Sequence, residues 1–157
     1  MNSDLTLKNF AAYYYNRGIE WGKEVCIFYK WGALFDGCGV FDVERGQIDG
    51  VSHKLWQNDT AIAKNSWGYT ESNQFKTPAS IIRNMIEVFS KNGCYMLNVG
   101  PKADGTICEE EKNVLLEIGK WLEVNGEAVY NSHPFEVCPF EGKKSKNGSF
   151  KESKKIL

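Results

Sequence analysis

"TPASIIRNMIEVFSKNGCYMLNVG", residues Thr77 to Gly100, predicts a helix followed at once by a buried strand. The Thr-Pro pair at its start supplies a helix cap and a first-turn proline. Apolar residues then recur on one helical face, at Ile81, Ile82, Met85, Ile86 and Phe89. The Asn-Gly pair at 92–93 favours a left-handed stop, and the apolar run Cys94–Gly100 is typical of a strand covered on both faces.

The segments on either side of this unit continue the alternation of helix and strand. A helix is predicted from about Ser3 to Gly22, followed by a buried strand at Glu24–Trp31 and a short strand at Gly39–Val43. After the central unit, Thr106 and Glu109 form a capping-box pattern, and a helix runs to the Asn-Gly pair at 125–126. The predicted order is helix, strand, short strand, loop, helix, strand, helix.

This order indicates an α/β fold with a parallel sheet, which leaves two architectures. A doubly wound fold needs a glycine-rich phosphate loop, whereas "NVGPKADG" places a proline and a lysine where the glycines belong. A (β/α)₈ barrel typically needs about 250 residues, so the 157 residues here predict only part of one, over residues 1–131. Residues 132–157 change to short β-like pieces and a lysine-rich loop, which predicts the start of a second domain.

Composition excludes several classes of function. A net charge of -1 gives no basic surface for nucleic acid or an anionic membrane, and no apolar run is long enough to span a bilayer. The N-terminus shows no signal peptide, and five scattered cysteines favour free thiols in a reducing, cytoplasm-like compartment. Two isolated histidines make a metal site improbable, so no metal is expected.

Polar and aromatic residues interleave in the middle of the chain, as they do in sugar-binding sites. Each has an ordinary alternative, since a tryptophan is often a core residue and a charge pair at a strand end is often solvated. A glutamate at the carboxyl end of a barrel strand, however, is placed to act as a general acid or base. The candidates are Glu44, Arg45, Trp56, Gln57, Asp59, Trp67, Tyr69 and Asn98.

Three segments carry a resemblance to a known family: "NSWGYTE", "VFSKNGCYMLNVGPKADGTICEEE" and "IGKWLEVNGEAVYNSHPFEV". Together they resemble the C-terminal half of the catalytic domain of α-L-fucosidases, glycoside hydrolase family 29. The resemblance implies an α/β fold of a partial (β/α)₈ TIM-like barrel with the start of a C-terminal β-sandwich. It also implies retaining hydrolysis of terminal α-L-fucosyl residues in a fucosylated glycan or glycoside, without a cofactor.

The resemblance also assigns roles to five residues. Many members carry Trp-Glu where this chain has Trp56-Gln57, and an amide cannot deliver a proton. "DVERG" resembles the segment from which another branch supplies its acid/base, so Glu44 becomes the acid/base candidate. Arg45 is then a sugar or carboxylate partner, Gln57 a hydrogen-bonding residue, and Trp56 and Trp67 line the sugar pocket. The resemblance also makes "KLWQNDTAI", Lys54–Ile62, a strand in the wall of that pocket.

The family's nucleophile is an aspartate on an earlier barrel strand, which would precede Met1. We therefore expect the chain to need a missing N-terminal half of the barrel and to be inactive alone. Two alternatives stay open: a non-catalytic fucose- or carbohydrate-binding fragment, and a truncated reading frame that folds poorly because sheet edges and apolar faces are exposed.

Overall fold

The structure, a computed structural model, describes residues 3–134. The described helices and strands, in chain order, are α1 Ser3–Glu20, β1 Phe28–Tyr29, β2 Val40–Glu44, β3 Trp56–Ala61, α2 Pro78–Ser90, β4 Gly93–Asn98 and α3 Glu109–Asn125, followed by a 3-10 turn at Gly126–Ala128. None of the described helices is both long enough and apolar enough to cross a membrane. The predicted β-like pieces after residue 134 lie outside the described residues.

The four strands form one parallel sheet in the order β1-β2-β3-β4. The predicted α/β class with a parallel sheet is therefore confirmed. Strand order follows chain order, with no reversal among the described strands, whereas a doubly wound sheet reverses at its switch point. The register places Glu44 beside Asp59 and Asp42 beside Gln57, so the polar residues of β2 and β3 are neighbours.

The helix predictions rest on local signals and are largely confirmed. Thr77 caps α2 by accepting a hydrogen bond from the backbone N–H of Ser80 at 3.2 Å. The capping box at the start of α3 is wrong, because the helix begins at Glu109 with Cys108 as its cap residue. Thr106 instead donates its hydroxyl to Asp104 at 2.7 Å, so this side chain closes the preceding turn.

Two strand predictions are corrected. The buried strand expected at Glu24–Trp31 is reduced to Phe28–Tyr29, which pairs only with β2 and leaves Phe28 51% exposed. A turn at Trp31 and Gly32, both with positive φ, ends it. The segment assigned to a loop in the predicted order contains β3, a central strand paired on both sides, so the strand that the resemblance implies at Lys54–Ile62 is confirmed. Its polar residues are accommodated inside the sheet, where the Gln57 amide donates to the Asp42 carboxylate and the Asn58 amide donates to the carbonyl of Val43.

The sheet has one face covered by α2 and α3. Two apolar clusters fill this interface, one built on Ile62, Ile81, Val114 and Ile118, the other on Val43, Trp56 and Val88. Side chains alternate across a strand, so the residues between these positions point to the opposite face. We call this second surface the open face; it carries Asp42, Glu44, Gln57, Asp59, Met96 and Asn98.

Trp56 lies on the covered face, which corrects its assignment to a sugar pocket. Its side chain is 2% exposed and packs with Val43 and Val88, and its indole N–H donates to the carbonyl of Lys91 at 3.0 Å. Because alternation along β3 sends Trp56 and Gln57 to opposite faces, Trp56 cannot share a pocket with the open face. Trp56 is a core residue.

Candidate active site on the open face

Glu44 ends β2 on the open face and is held by two partners. Its Oε2 accepts a hydrogen bond from Lys30 Nζ at 3.0 Å, and its Oε1 accepts one from the indole N–H of Trp67 at 3.2 Å. The side chain is 46% exposed. Glu44 is therefore a solvent-accessible carboxylate at the carboxyl end of a parallel strand, the place predicted for an acid or base.

Lys30 lies between three carboxylates at this edge of the sheet. Its ammonium is 2.9 Å from Asp59, 3.0 Å from Glu44 and 3.3 Å from Asp42. The Asp42 and Asp59 side chains are only 6% and 14% exposed, so water screens these two contacts less than it screens Glu44. The hydrogen bond to Asp59, assisted by those to Glu44 and Asp42, raises the pKa of Lys30 above its ordinary 10.5.

The same cluster sets the charge of Glu44. The hydrogen bond from Lys30, followed by the charge of its ammonium, lowers the pKa of Glu44 below its ordinary 4.5. The bond from Trp67 and the charge of Arg45 act in the same direction, and desolvation opposes them. In this arrangement Glu44 is a carboxylate at neutral pH.

Arg45 holds the loop that carries Trp67. Its guanidinium donates to the carbonyls of Ala63, Lys64 and Ser66 at 3.1, 3.0 and 2.8 Å, and stacks over the Trp67 ring with the guanidinium carbon 4.3 Å from the centroid. The predicted role of Arg45 as a sugar or carboxylate partner stays a prediction. Arg45 orders the loop beside Glu44.

Strand β4 fixes the other side of this loop. Asn98, at the end of β4, donates its side-chain N–H to the carbonyl of Trp67 at 2.6 Å. Gly100 approaches the same loop so closely that a Cβ there would lie 2.7 Å from the backbone nitrogen of Tyr69. Trp67 is consequently held from two strands while its side chain remains 36% exposed.

Gln57 lies deeper on the open face. It is 7% exposed and donates its side-chain amide to Asp42 Oδ1 at 3.2 Å. The amide therefore anchors one of the carboxylates that contact Lys30. Its predicted role as a hydrogen-bonding residue toward substrate stays a prediction.

The structure brings together three of the five predicted site residues, Glu44, Arg45 and Trp67, in direct contact. Lys30 and Asp42 were not predicted. The sequence signals for these two residues are a lysine directly after a strand and the Asp-x-Glu alternation in "VFDVE". The contact between Lys30 and Asp42, however, depends on the register of the strands. Within residues 3–134, no group of three or more His, Cys, Asp or Glu side chains is arranged to hold a metal ion.

Comparison with known proteins places this chain in a family. The family model described as alpha-L-fucosidase matches residues 1–127. The chain belongs to the α-L-fucosidase family. Tissue alpha-L-fucosidase from Bos taurus is 39% identical over 135 residues, which cover 82% of this chain and 29% of that protein. The corresponding protein from Mus musculus is 41% identical over 135 residues, covering 82% and 30%.

A solved structure of the family shows the same arrangement of backbone. The alpha-fucosidase of Thermotoga maritima, determined in complex with fucose, is 30% identical and superposes with a TM-score of 0.69. The match covers 85% of this chain and 29% of that chain. The chain thus spans about three tenths of the length of these family members.

Proposed function

We propose that the chain supplies the acid/base half of an α-L-fucosidase active site, with Glu44 as the acid/base. The observation that carries this proposal is the accessible Glu44 carboxylate at a strand end, hydrogen-bonded to the exposed indole of Trp67. A carboxyl group beside an aromatic ring suits a sugar, because the ring covers C–H groups while the carboxyl reaches an oxygen. The substrate class is a fucosylated glycan or glycoside, as the family name implies.

In a retaining reaction Glu44 acts twice. Its protonated form gives a proton to the leaving-group oxygen while a nucleophilic carboxylate bonds to the anomeric carbon; its carboxylate then removes a proton from the water that hydrolyses this intermediate. The proton lost in the first half is recovered in the second. The net reaction consumes one water and releases the alcohol and L-fucose.

The nucleophile must come from outside the described cluster. A retaining pair lies about 5–5.5 Å apart and its nucleophile must face the sugar. Asp42 and Asp59 are both mostly buried and bound to Lys30, so neither carboxylate is free to attack an anomeric carbon. We therefore propose that residues 1–131 form part of a (β/α)₈ barrel that another strand completes, with the start of a sandwich domain after residue 131.

A chimera tests the acid/base role. The matched segment of the Thermotoga maritima enzyme is replaced by this chain, and hydrolysis of aryl α-L-fucosides is measured with good and poor leaving groups. We expect Glu44→Gln to slow poor leaving groups by about 10²–10⁴-fold and good ones far less. Glu71→Gln, an exposed carboxylate in the loop after Trp67, is the matched control and should have no effect. Equal rates for Glu44→Gln and Glu71→Gln would show that Glu44 takes no part in the reaction.

Assays of hydrolysis and of L-fucose binding by the isolated chain distinguish catalysis from binding. We expect the unmodified chain to show no hydrolysis, because no free nucleophile faces Glu44 among residues 3–134. If calorimetry shows that the chain binds L-fucose and that Trp67→Ala abolishes binding, the exposed indole forms a binding surface without catalysis, which is the alternative function. Turnover by the chain alone, abolished by Glu44→Gln, would show that a nucleophile is already present.

A further inference from the structure

Lys30 is a charged group that the proposed reaction does not use. It follows the edge strand β1, yet its ammonium bonds to side chains from β2 and β3. Two of its three partners are nearly buried, so the ammonium is anchored on its inner side by Asp59 and Asp42. The third partner, Glu44, is the exposed one. Lys30 therefore presents a fixed positive charge to Glu44.

Charged groups face Glu44 from each neighbouring element. Lys30 faces it from the residue after β1, Asp42 from its own strand and Asp59 from β3, while Arg45 adds a positive charge from the loop after β2. Trp67 contributes an uncharged donor. The positive charges outweigh the two aspartates at Glu44, because the lowered pKa of Glu44 is caused first by the bond from Lys30 and next by its charge.

We propose that Lys30 is a positioning residue for Glu44: anchored by Asp59 and Asp42, it holds the Glu44 side chain against Trp67 in its carboxylate form. This inference rests on the proposed function for its catalytic meaning. The carboxylate is the form that removes a proton from water in the second half of a retaining reaction. The acid form needed for the first half is then populated only at low pH, so Lys30 sets the alkaline limb of the pH profile.

The test measures the charge of Glu44 directly and needs no activity. The chain is labelled with ¹³C at glutamate side-chain carboxyls, the Glu44 signal is assigned by its loss in Glu44→Gln, and its chemical shift is followed against pH. We expect the midpoint of the wild-type chain below 4.5. Lys30→Met should raise it by about one pH unit, and Lys30→Arg, which keeps the charge, should leave it low.

A second variant changes the midpoint in the opposite direction. Asp59→Asn removes a negative charge and releases Lys30 toward Glu44, so the Glu44 midpoint should fall further. If Lys30→Met does not fold, Lys30→Gln replaces it, and the wild-type midpoint remains decisive. A wild-type midpoint at or above 4.5, or one that Lys30→Met leaves unchanged, overturns the proposal.

The pH dependence of hydrolysis by the chimera distinguishes this inference from the proposed function. There, Lys30→Met should move the alkaline limb of fucoside hydrolysis up by about one pH unit, and Lys30→Arg should not. A Glu44 midpoint that follows Lys30 while Glu44→Gln hydrolyses normally would retain the coupling and reject the acid/base role. A normal acid/base role with a midpoint independent of Lys30 would reject this inference alone.

Discussion

The guanidinium of Arg45 lies over the indole of Trp67, with its central carbon 4.3 Å from the ring centroid. The same group donates to three carbonyls in the loop that precedes the ring. Arg45 itself has a positive φ of 49°, so the backbone turns sharply to aim the side chain back at the loop. One side chain thus fixes both the loop and the ring that bonds to Glu44.

Replacing Arg45 by lysine should loosen Trp67. A lysine keeps the charge but not the planar fork, so it cannot donate to all three carbonyls and stack at once. We expect the free energy of unfolding to fall by about 1 kcal/mol at this exposed site. In a ¹⁵N-¹H spectrum the Trp67 indole signal, assigned by Trp67→Phe, should shift or broaden. Arg83→Lys on the exposed side of α2 is the control; an unmoved Trp67 signal in Arg45→Lys would contradict the stacking role.

Two glycines should respond to alanine with opposite signs. A Cβ at Gly93 would lie 2.6 Å from Val88 Cγ1 and 2.7 Å from the ring of Trp56, whereas a Cβ at Gly119 on α3 meets no described atom within 4 Å. Gly93→Ala should therefore cost about 1–3 kcal/mol by overpacking the core. Gly119→Ala should gain up to about 1 kcal/mol, because alanine favours helix.

Urea unfolding of the two variants measures this difference. Both substitutions add one methyl group, so Gly119→Ala is the matched control for Gly93→Ala. A Gly93→Ala chain as stable as the wild type would show that Trp56 is not packed against the start of β4, and would reopen its assignment to the core.

The sequence predicts α2 well because its signals are local: a cap, an apolar period and a stop lie within one segment. The apolar period and the stop also predict α3, although its capping box is wrong. Local patterns alone do not reveal β3, because Gln57, Asn58 and Asp59 are residue types typical of loops, and only the resemblance predicts a strand there. Gln57 bonds to Asp42, fifteen residues earlier, and Asp59 bonds to Lys30, twenty-nine residues earlier. Glu44 could be predicted from its place at a strand end, whereas its contact with Lys30 required the register.

Removing the Tyr95 hydroxyl should stabilise the chain. Tyr95 packs against both apolar clusters, and its hydroxyl is buried without a hydrogen-bond partner among the described residues. An unpaired buried hydroxyl costs free energy, so Tyr95→Phe should raise the free energy of unfolding by about 1 kcal/mol at neutral pH. Tyr130→Phe, at a side chain 62% exposed, should have no such effect.

Alkaline pH adds a second test of Tyr95. Burial raises the pKa of Tyr95 from 10.0 to about 12, since the low-dielectric site disfavours the phenolate. The folded state therefore favours the neutral phenol. This contribution is fully present below pH 10 and is lost as pH rises through about 12. Comparing unfolding of wild type and Tyr95→Phe from pH 8 to 12 isolates it; parallel curves would show that Tyr95 is not buried.

A buried carboxylate on α3 should control the position of the Trp67 loop. Glu111 is 1% exposed, and both of its side-chain oxygens accept from the backbone N–H of Gly100, at 3.2 and 3.1 Å. Gly100 in turn touches the backbone of Tyr69 and Gly68. Glu111→Ala removes the only acceptor this amide has among the described residues, so we expect a loss of about 2–3 kcal/mol.

Glu111→Gln distinguishes the hydrogen bond from simple filling of space. Glutamine keeps an acceptor oxygen in nearly the same shape, so its loss in unfolding free energy should be less than half that of alanine. The Trp67 indole signal should shift in Glu111→Ala and stay near its wild-type position in Glu111→Gln. Glu110→Ala, one residue earlier and exposed, should change neither measurement. Equal losses for glutamine and alanine would mean that the charge of Glu111, and not its acceptor oxygen, holds Gly100 against the loop.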